Sequence, residues 1–330
     1  MLDRRVLVTG GSGFIGTHLI EKLIQLSVPV LSLDIRPPQL SHHREFWVSC
    51  NIMSIESLDA IFTQFNPTHV YHLAARANLK GRSIEDFPEN TTGTENVTKC
   101  VNISRSIECL IHFSTQYVVS PGVWPEAEEF LLPYTPYGES KAEAETIVRN
   151  KCDKSWVILR PTNVWGPFHP FFPYELWRYL RLRLYFHPGF QPVTKNYSFV
   201  SNAVDQIITL TLANHESVCG RVFYITDPPI DNAEWMNAFS VALTGRQVRR
   251  TPLTLWRFLA KTGDVLKKLG LKFPMSSERL FRLTVNEQVP YQSTIEIAGL
   301  PRVSVDEGVR KSVRWYIGLL AGDPTEKWAV

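Results

Sequence analysis

The sequence is poor in the features that mark several large classes of protein. Its 330 residues hold five cysteines, Cys50, Cys100, Cys109, Cys152 and Cys219, an odd number with no C-x-x-C pair. That pattern argues against a disulfide framework and a zinc site, and it predicts a reducing compartment, the cytoplasm. Net charge is scarce as well. Thirty-five basic against 32 acidic residues give +3, too little for a chain that lives on nucleic acid. No uncharged apolar run reaches the roughly 20 residues that a membrane-spanning helix needs, and no internal repeat or low-complexity tract is visible. Met1-Leu2-Asp3 leads directly into a strand-like run at 5–9, so no signal peptide is expected. The N-x-[ST] tripeptides at Asn90, Asn96, Asn102 and Asn196 then read as chance matches. Apolar residues are plentiful, at 44%. A chain of this length can bury roughly three quarters of its unfolded surface, as two domains or as one large domain with a smaller lobe.

Two periodicities alternate through the first 160 residues. Short β-rich runs at 5–9, 29–34, 69–73, 107–113 and 155–160 are separated by segments of helical spacing at 14–26, 54–65, 90–105 and 137–150. Such alternation predicts an α/β fold, a doubly wound parallel sheet with helices on both faces. At Pro161 the character changes to a Pro- and aromatic-rich stretch. A basic helical segment (175–185) follows, then β-like runs at 197–200 and 221–225 flanking a helix that starts near Asn202, and two or three helices after Asp227. The expected organisation is a dinucleotide-binding Rossmann domain over 1–166, with 196–226 returning to it. A smaller, mostly helical substrate lobe would be formed by 167–195 and 227–330.

The sharpest local signal is VLVTGGSGFIGTHL, residues 6–19, in which Gly10, Gly13 and Gly16 fall between a strand and a helix. Glycines there permit a tight turn and let the backbone approach a pyrophosphate. The helix that begins at Phe14 and Ile15 presents free N–H groups to the same anion. Asp34 ends the next strand, 18 positions beyond Gly16, where a carboxylate accepts the adenosine ribose hydroxyls and repels a 2′-phosphate. This favours NAD over NADP. Arg36, two residues on, suits either a 2′-phosphate or an exposed place over the adenine.

Tyr137 and Lys141 stand four apart at the start of a helix, so both project from one face. A nearby ammonium stabilises a phenolate, which makes the pair a proton-transfer device. A Y-x-x-x-K spacing is common on amphipathic helices, but a strand ending in Ser114 and Thr115 precedes it, and in parallel sheets ligands sit at strand C-termini.

Taken together, TGGSGFIG (9–16), Asp34, HLAA (72–75), FSTQYV (113–118), Y-x-x-x-K (137–141) and LRPTNVWGP (159–167) resemble the extended short-chain dehydrogenase/reductase family, and more narrowly its NAD-dependent epimerase/dehydratase branch acting on nucleotide sugars. The resemblance runs from about residue 4 to 226 and thins beyond, with 299–316 similar to the family's usual ending. It implies that Tyr137 is the general acid/base. Lys141 would hold the nicotinamide ribose and depress the tyrosine pKa, and Thr115 would bond the reacting sugar oxygen. Leu73, Ala74, Ala75, Asn90 and Pro161 would lie by the cofactor, with Gln116 and Asn163 by the substrate. Arg178 and Arg181, with Arg183 beside them, suit either a diphosphate or a solvated helix face. Lys195, Arg246, Arg249, Arg250, Arg279 and Arg282 are weaker candidates for the diphosphate. The family's R-D-F-V-H-V-D-D segment is replaced here by NYSFVSNAVD (196–205).

Dehydratases and decarboxylases of this kind carry acids just after the Ser or Thr. Here Gln116 and Tyr117 stand there, and no cysteine lies between Thr115 and Tyr137. The expected activity is therefore an NAD-dependent nucleotide-sugar 4-epimerase. The alternatives are a 4-keto-sugar reductase, a reductase or dehydrogenase of a non-sugar alcohol, and a cofactor sensor without turnover. The expected partner is a nucleotide-diphosphate sugar, with no nucleic acid and no membrane, and the resemblance implies a homodimer. No metal is assigned, because His42-His43 lie in a loop without matching carboxylates or cysteines. The basic amphipathic stretch 253–272 reads as a lobe helix interrupted at Gly263 and Asp264.

Overall fold

The computed structural model describes residues 4–322 apart from 79, 80, 214 and 272. Residues 1–3 and 323–330 of the expected domains, and Lys272 of the amphipathic stretch, lie outside the described residues. Seven strands form one sheet: β1 (Val6–Thr9), β2 (Val30–Asp34), β3 (Trp47–Ser49), β4 (His69–His72), β5 (Cys109–Phe113), β6 (Ser155–Pro161) and, much later in the chain, β11 (Val222–Ile225). Their order is β11-β6-β5-β4-β1-β2-β3, and every pairing is parallel. The chain is doubly wound and reverses direction between β1 and β4, where a ligand crevice opens at the strand C-termini. The edge strand β3 was not expected from the sequence. It is three residues long and mostly exposed, so it carries no buried apolar run.

Helices cover both faces. Helix α1 (Phe14–Gln25) and α6 (Val200–Leu212) pack on one side, and α2 (Ile55–Phe65), α3 (Thr92–Ile103) and α4 (Pro136–Lys151) on the other. Alternation along β1 divides the core. Val6 and Val8 join Leu19, Ile20 and Leu23 of α1, while Leu7 joins Leu58 and Phe62 of α2. Between α4 and β6, fully buried Arg160 holds fully buried Glu145 through two bonds of 2.8 Å.

The remaining elements are β7 (Asn163–Trp165), β8 (Phe186–Pro188), β9 (Thr194–Lys195), β10 (Tyr197–Phe199), β12 (Ile230–Asp231), β13 (Arg249–Thr251) and helices α5 (Arg178–Arg181), α7 (His215–Val218), α8 (Asn232–Thr244), α9 (Leu253–Lys268), α10 (Ser277–Thr284), α11 (Gln292–Ala298) and α12 (Val305–Leu320). Among the described residues five helices follow Asp227, where two or three were expected. Short helices with small apolar faces, such as α10 and α11, give weak periodicity. Helix α9 also runs unbroken through Gly263 and Asp264. A Cβ at Gly263 would lie 1.8 Å from the Met275 carbonyl oxygen, so the glycine allows close packing rather than ending the helix. The Asp264 carboxylate accepts from the Ser277 N–H at the start of α10. An aromatic group centred on Trp165, Trp177, Trp235 and Phe239 is continuous with the core that α1 covers on the sheet.

Candidate active site

The glycine turn follows β1 and is held by its own backbone. Gly10 has φ +78°, and a Cβ there would lie 2.5 Å from the Ala74 nitrogen; at Gly16 it would lie 2.3 Å from the Gly10 oxygen. These contacts draw the turn against the exit of β4, where Leu73, Ala74 and Ala75 are half-buried. Gly13 is the N-cap of α1 and provides no side-chain cap, so the first turn at Phe14 and Ile15 offers its backbone donors to an anion. Asp34 is buried beside this turn. Its carboxylate accepts from the Ser12 N–H at 3.2 Å and the Arg36 N–H at 3.0 Å. The Arg36 guanidinium is 3.8 Å from Asp34 and largely exposed. A cradle that any Cβ would fill, an uncapped helix start and a carboxylate at its rim fit a dinucleotide with free ribose hydroxyls.

Across the crevice, α4 begins at Pro136 with Thr135 as its cap, whose hydroxyl accepts from the Gly138 N–H at 3.0 Å. This start fixes Tyr137 and Lys141 one turn apart. Thr115 follows β5 and caps a 3-10 turn, accepting from the Tyr117 N–H at 3.3 Å. Burial pushes the Tyr137 phenol up to about 12; a hydrogen bond with Thr115 opposes this and Tyr117 adds to it. Burial also brings Lys141 down to about 8, against the pull of Glu145. The expected depression of Tyr137 by Lys141 does not appear: burial, Thr115 and Tyr117 set the phenol, and burial penalises the charged forms of both residues. Both amide atoms of buried Gln116 and the Ser114 hydroxyl lack partners and are among the unsatisfied polar groups at this edge.

Asn90 takes a different part from the one expected. Its side chain is fully buried, accepts from the Arg76 N–H, and donates to the Arg76 carbonyl and to Ser140 Oγ at 2.8 Å. Ser140 Oγ donates in turn to the Tyr137 carbonyl. Asn90 thus braces the first turns of α4. Pro161 ends β6 and is buried. Beneath the site, the Thr94 hydroxyl donates to the Asn90 carbonyl, so it accepts from His72 Nε2, and His72 Nδ1 accepts from the Thr9 hydroxyl at 2.7 Å. This wiring needs a neutral imidazole, and burial holds His72 down at about 3.

The structure separates the substrate candidates. Asn163 Nδ2 donates to the Asn196 carbonyl, tying β7 to the start of β10. Arg178, Arg181 and Arg183 are exposed on and just after α5, which packs on α8. Lys195 is buried and paired with Glu287 at 3.0 Å. Arg282 of α10 instead reaches the site, with its guanidinium 6.0 Å from the Tyr117 ring and its charge acting on Tyr117 and Tyr134. Tyr117 stacks against Tyr134 and meets Tyr137 edge-on. Nothing in the spacing of the sequence links Arg282 to a segment 165 residues earlier.

The model of the NAD dependent epimerase/dehydratase family matches residues 6–187, and the chain belongs to that family. It is an NAD-dependent enzyme of the extended short-chain dehydrogenase/reductase class. It is 29% identical over 182 residues to the UDP-glucose 4-epimerase of Mycolicibacterium smegmatis, covering 49% of this chain and 57% of that one. It is 28% identical to the UDP-glucose 4-epimerase of Vibrio cholerae over 96% of both chains. Among solved structures, the UDP-glucose 4-epimerase of Thermotoga maritima with UDP-glucose shares the fold at a TM-score of 0.72 and 22% identity, over 96% of this chain and 99% of that one. No helix among the described residues is long and apolar enough to cross a membrane.

Proposed function

We propose that the chain is a nucleotide-sugar 4-epimerase that passes through a 4-keto sugar. The observation that carries this reading is the pairing of the Tyr137 and Thr115 hydroxyls at the end of β5 with no carboxylate at the two positions that follow. Bound NAD supplies the hydride acceptor and donor. Tyr137 takes the proton of the sugar C4 hydroxyl, and Thr115 Oγ1 holds the same oxygen. Lys141, one turn along α4 from Tyr137, binds the ribose of the cofactor and brings its charge to the same helix face. After the 4-keto sugar turns over in the site, Tyr137 returns the proton to that oxygen. Without an acid at 116 or 117 there is no group to drive elimination or decarboxylation, so oxidation and reduction at one carbon is the chemistry supported. Arg282 suits the diphosphate, since a guanidinium beside stacked tyrosines can hold both a phosphate and an aromatic base. Cytoplasmic residence and a homodimer belong to the same reading, and sedimentation of the purified protein tests the dimer.

A panel of nucleotide-diphosphate sugars offered to the purified protein tests the activity. A 4-epimerase interconverts a C4 pair with no cofactor added beyond what it retains. Stoichiometric consumption of NADH or NADPH would assign the 4-keto reductase instead, and bound NAD with no turnover on the panel would favour the sensor or a non-sugar alcohol.

A further inference from the structure

The histidine pair set aside in the sequence for want of a carboxylate acquires one in three dimensions. His42 and His43 lie on the 3-10 turn Ser41–Phe46, which packs on α1 opposite Glu21. His42 Nε2 is 2.6 Å and His43 Nε2 2.8 Å from the same oxygen, Glu21 Oε2. The two rings stand 4.6 Å apart and nearly perpendicular. The other carboxylate oxygen, Oε1, accepts from Gln25 Nε2 at 3.2 Å, which fixes the plane of the carboxylate. His43 is buried, at 1% exposure, and His42 is exposed. One ligand atom from each of the three residues falls within 4.8 Å of the others.

We infer that Glu21, His42 and His43 form a site for one divalent transition-metal ion of the zinc type, independent of the catalytic reading. Two imidazole nitrogens and one carboxylate oxygen are a donor set for Zn²⁺, with ligand distances of about 2.0–2.2 Å and a fourth position left for water. Tetrahedral ligands at those distances are about 3.3 Å apart, so the His42 and His43 contacts to Glu21, now 2.6 and 2.8 Å, must each open by about 0.5–0.7 Å. Rotation of the exposed His42 side chain opens one, and a small shift of Glu21 away from buried His43 opens the other. Each N–H now directed at the carboxylate gives way to a lone pair directed at the ion. Mg²⁺, which prefers oxygen ligands and retains its waters, is a poor fit.

The position gives the ion a structural role. The turn at Ser41–Phe46 directly follows the loop through Arg36 and Gln39. Gln39 Nε2 donates to the Ser12 carbonyl at 3.3 Å, and Ser12 Oγ donates to the Arg36 carbonyl at 2.8 Å. A metal at Glu21, His42 and His43 would therefore clamp α1 to the loop that walls the adenosine end of the crevice. Binding to the folded chain alone must raise its stability.

The test uses full-length protein stripped with a chelator and then freed of it. Zn²⁺ alone is titrated in competition with a chromophoric chelator, and melting is followed with and without Zn²⁺. One equivalent with micromolar or tighter affinity and a higher melting temperature are expected. His42→Ala and Glu21→Gln, one at an exposed position and one nearly isosteric, should each weaken that affinity at least tenfold and abolish the rise in melting temperature. Failure of the wild-type protein to bind Zn²⁺ below millimolar would overturn the inference. Unchanged affinity in both variants would do the same, by placing the ion elsewhere, on the five free cysteines for example.

Discussion

The two walls of the crevice are built on different principles. The wall around β1, the glycine turn and α1 is made mainly of backbone: closely approaching glycines, uncapped amides and one carboxylate that accepts backbone bonds. The opposite wall is made of side chains from distant segments, with Tyr117 and Tyr134 near one another in the chain, Arg282 on α10, and Lys195 paired with Glu287. A backbone site is specified by a dozen consecutive residues and binds what all members of a cofactor class share. A side-chain site depends on the packing of the lobe, and this is where one substrate is distinguished from another.

The largest change bears on the residue that joins the two walls. Tyr137→Phe should leave folding and NAD affinity nearly intact and lower turnover by roughly 10²–10⁴, the usual worth of a positioned acid/base. Full activity of this variant on a confirmed substrate would remove the catalytic assignment and leave only cofactor binding. Thr115→Val combined with it should cost less than the product of the two defects, since both act on one oxygen.

Acid should weaken both walls. His72 is buried and neutral at about 3, against about 6.5 for an unfolded histidine. Its contribution is complete above pH 6.5 and is lost as pH falls toward 3, at about 1.4 kcal/mol for each unit over which only the unfolded chain is protonated. Burial lowers His18 to about 4 and His169 to about 3, and both act in the same direction. A melting temperature that stayed flat from pH 6.5 to 4 would contradict this. His169 Nδ1 accepts from the Phe171 and Phe172 N–H groups, so His169→Asn should keep an acceptor there and soften the acid dependence.

Two substitutions separate the walls. In Gly16→Ala the new Cβ meets the Gly10 oxygen at 2.3 Å; overpacking of about 1–3 kcal/mol should weaken NAD about ten- to hundredfold, as read by fluorescence titration. Arg282→Ala should leave NAD affinity unchanged and raise KM about tenfold, the lower range for a hydrogen bond to a charged group. If Arg282→Ala weakened NAD as much as substrate, the division between the walls would be wrong. The smallest effect is expected far from both. Ser54 caps α2 by accepting from the Ser57 N–H, and Ser54→Ala should cost about 1 kcal/mol in denaturant unfolding with no change in NAD affinity.

The parallel sheet, the glycine turn and the Tyr137–Lys141 spacing were legible because each is local. A buried strand announces itself by a short apolar run, a phosphate turn by its glycines, and a helix face by a four-residue interval. The exposed edge strand β3 and the five helices after Asp227 were poorly legible because their apolar faces are small or irregular. The sequence by itself therefore determined the fold class, the glycine turn after β1 and the placing of Tyr137 and Lys141 one turn apart on α4. Tertiary structure alone decided that Asn90 braces α4 through Ser140, that Lys195 is taken up by Glu287 while Arg282 faces the tyrosines, and that Glu21 meets His42 and His43. The physical reason is range. Backbone geometry is set by neighbours a few positions away, whereas contacts between side chains 21, 92 or 165 residues apart exist only once the core has packed.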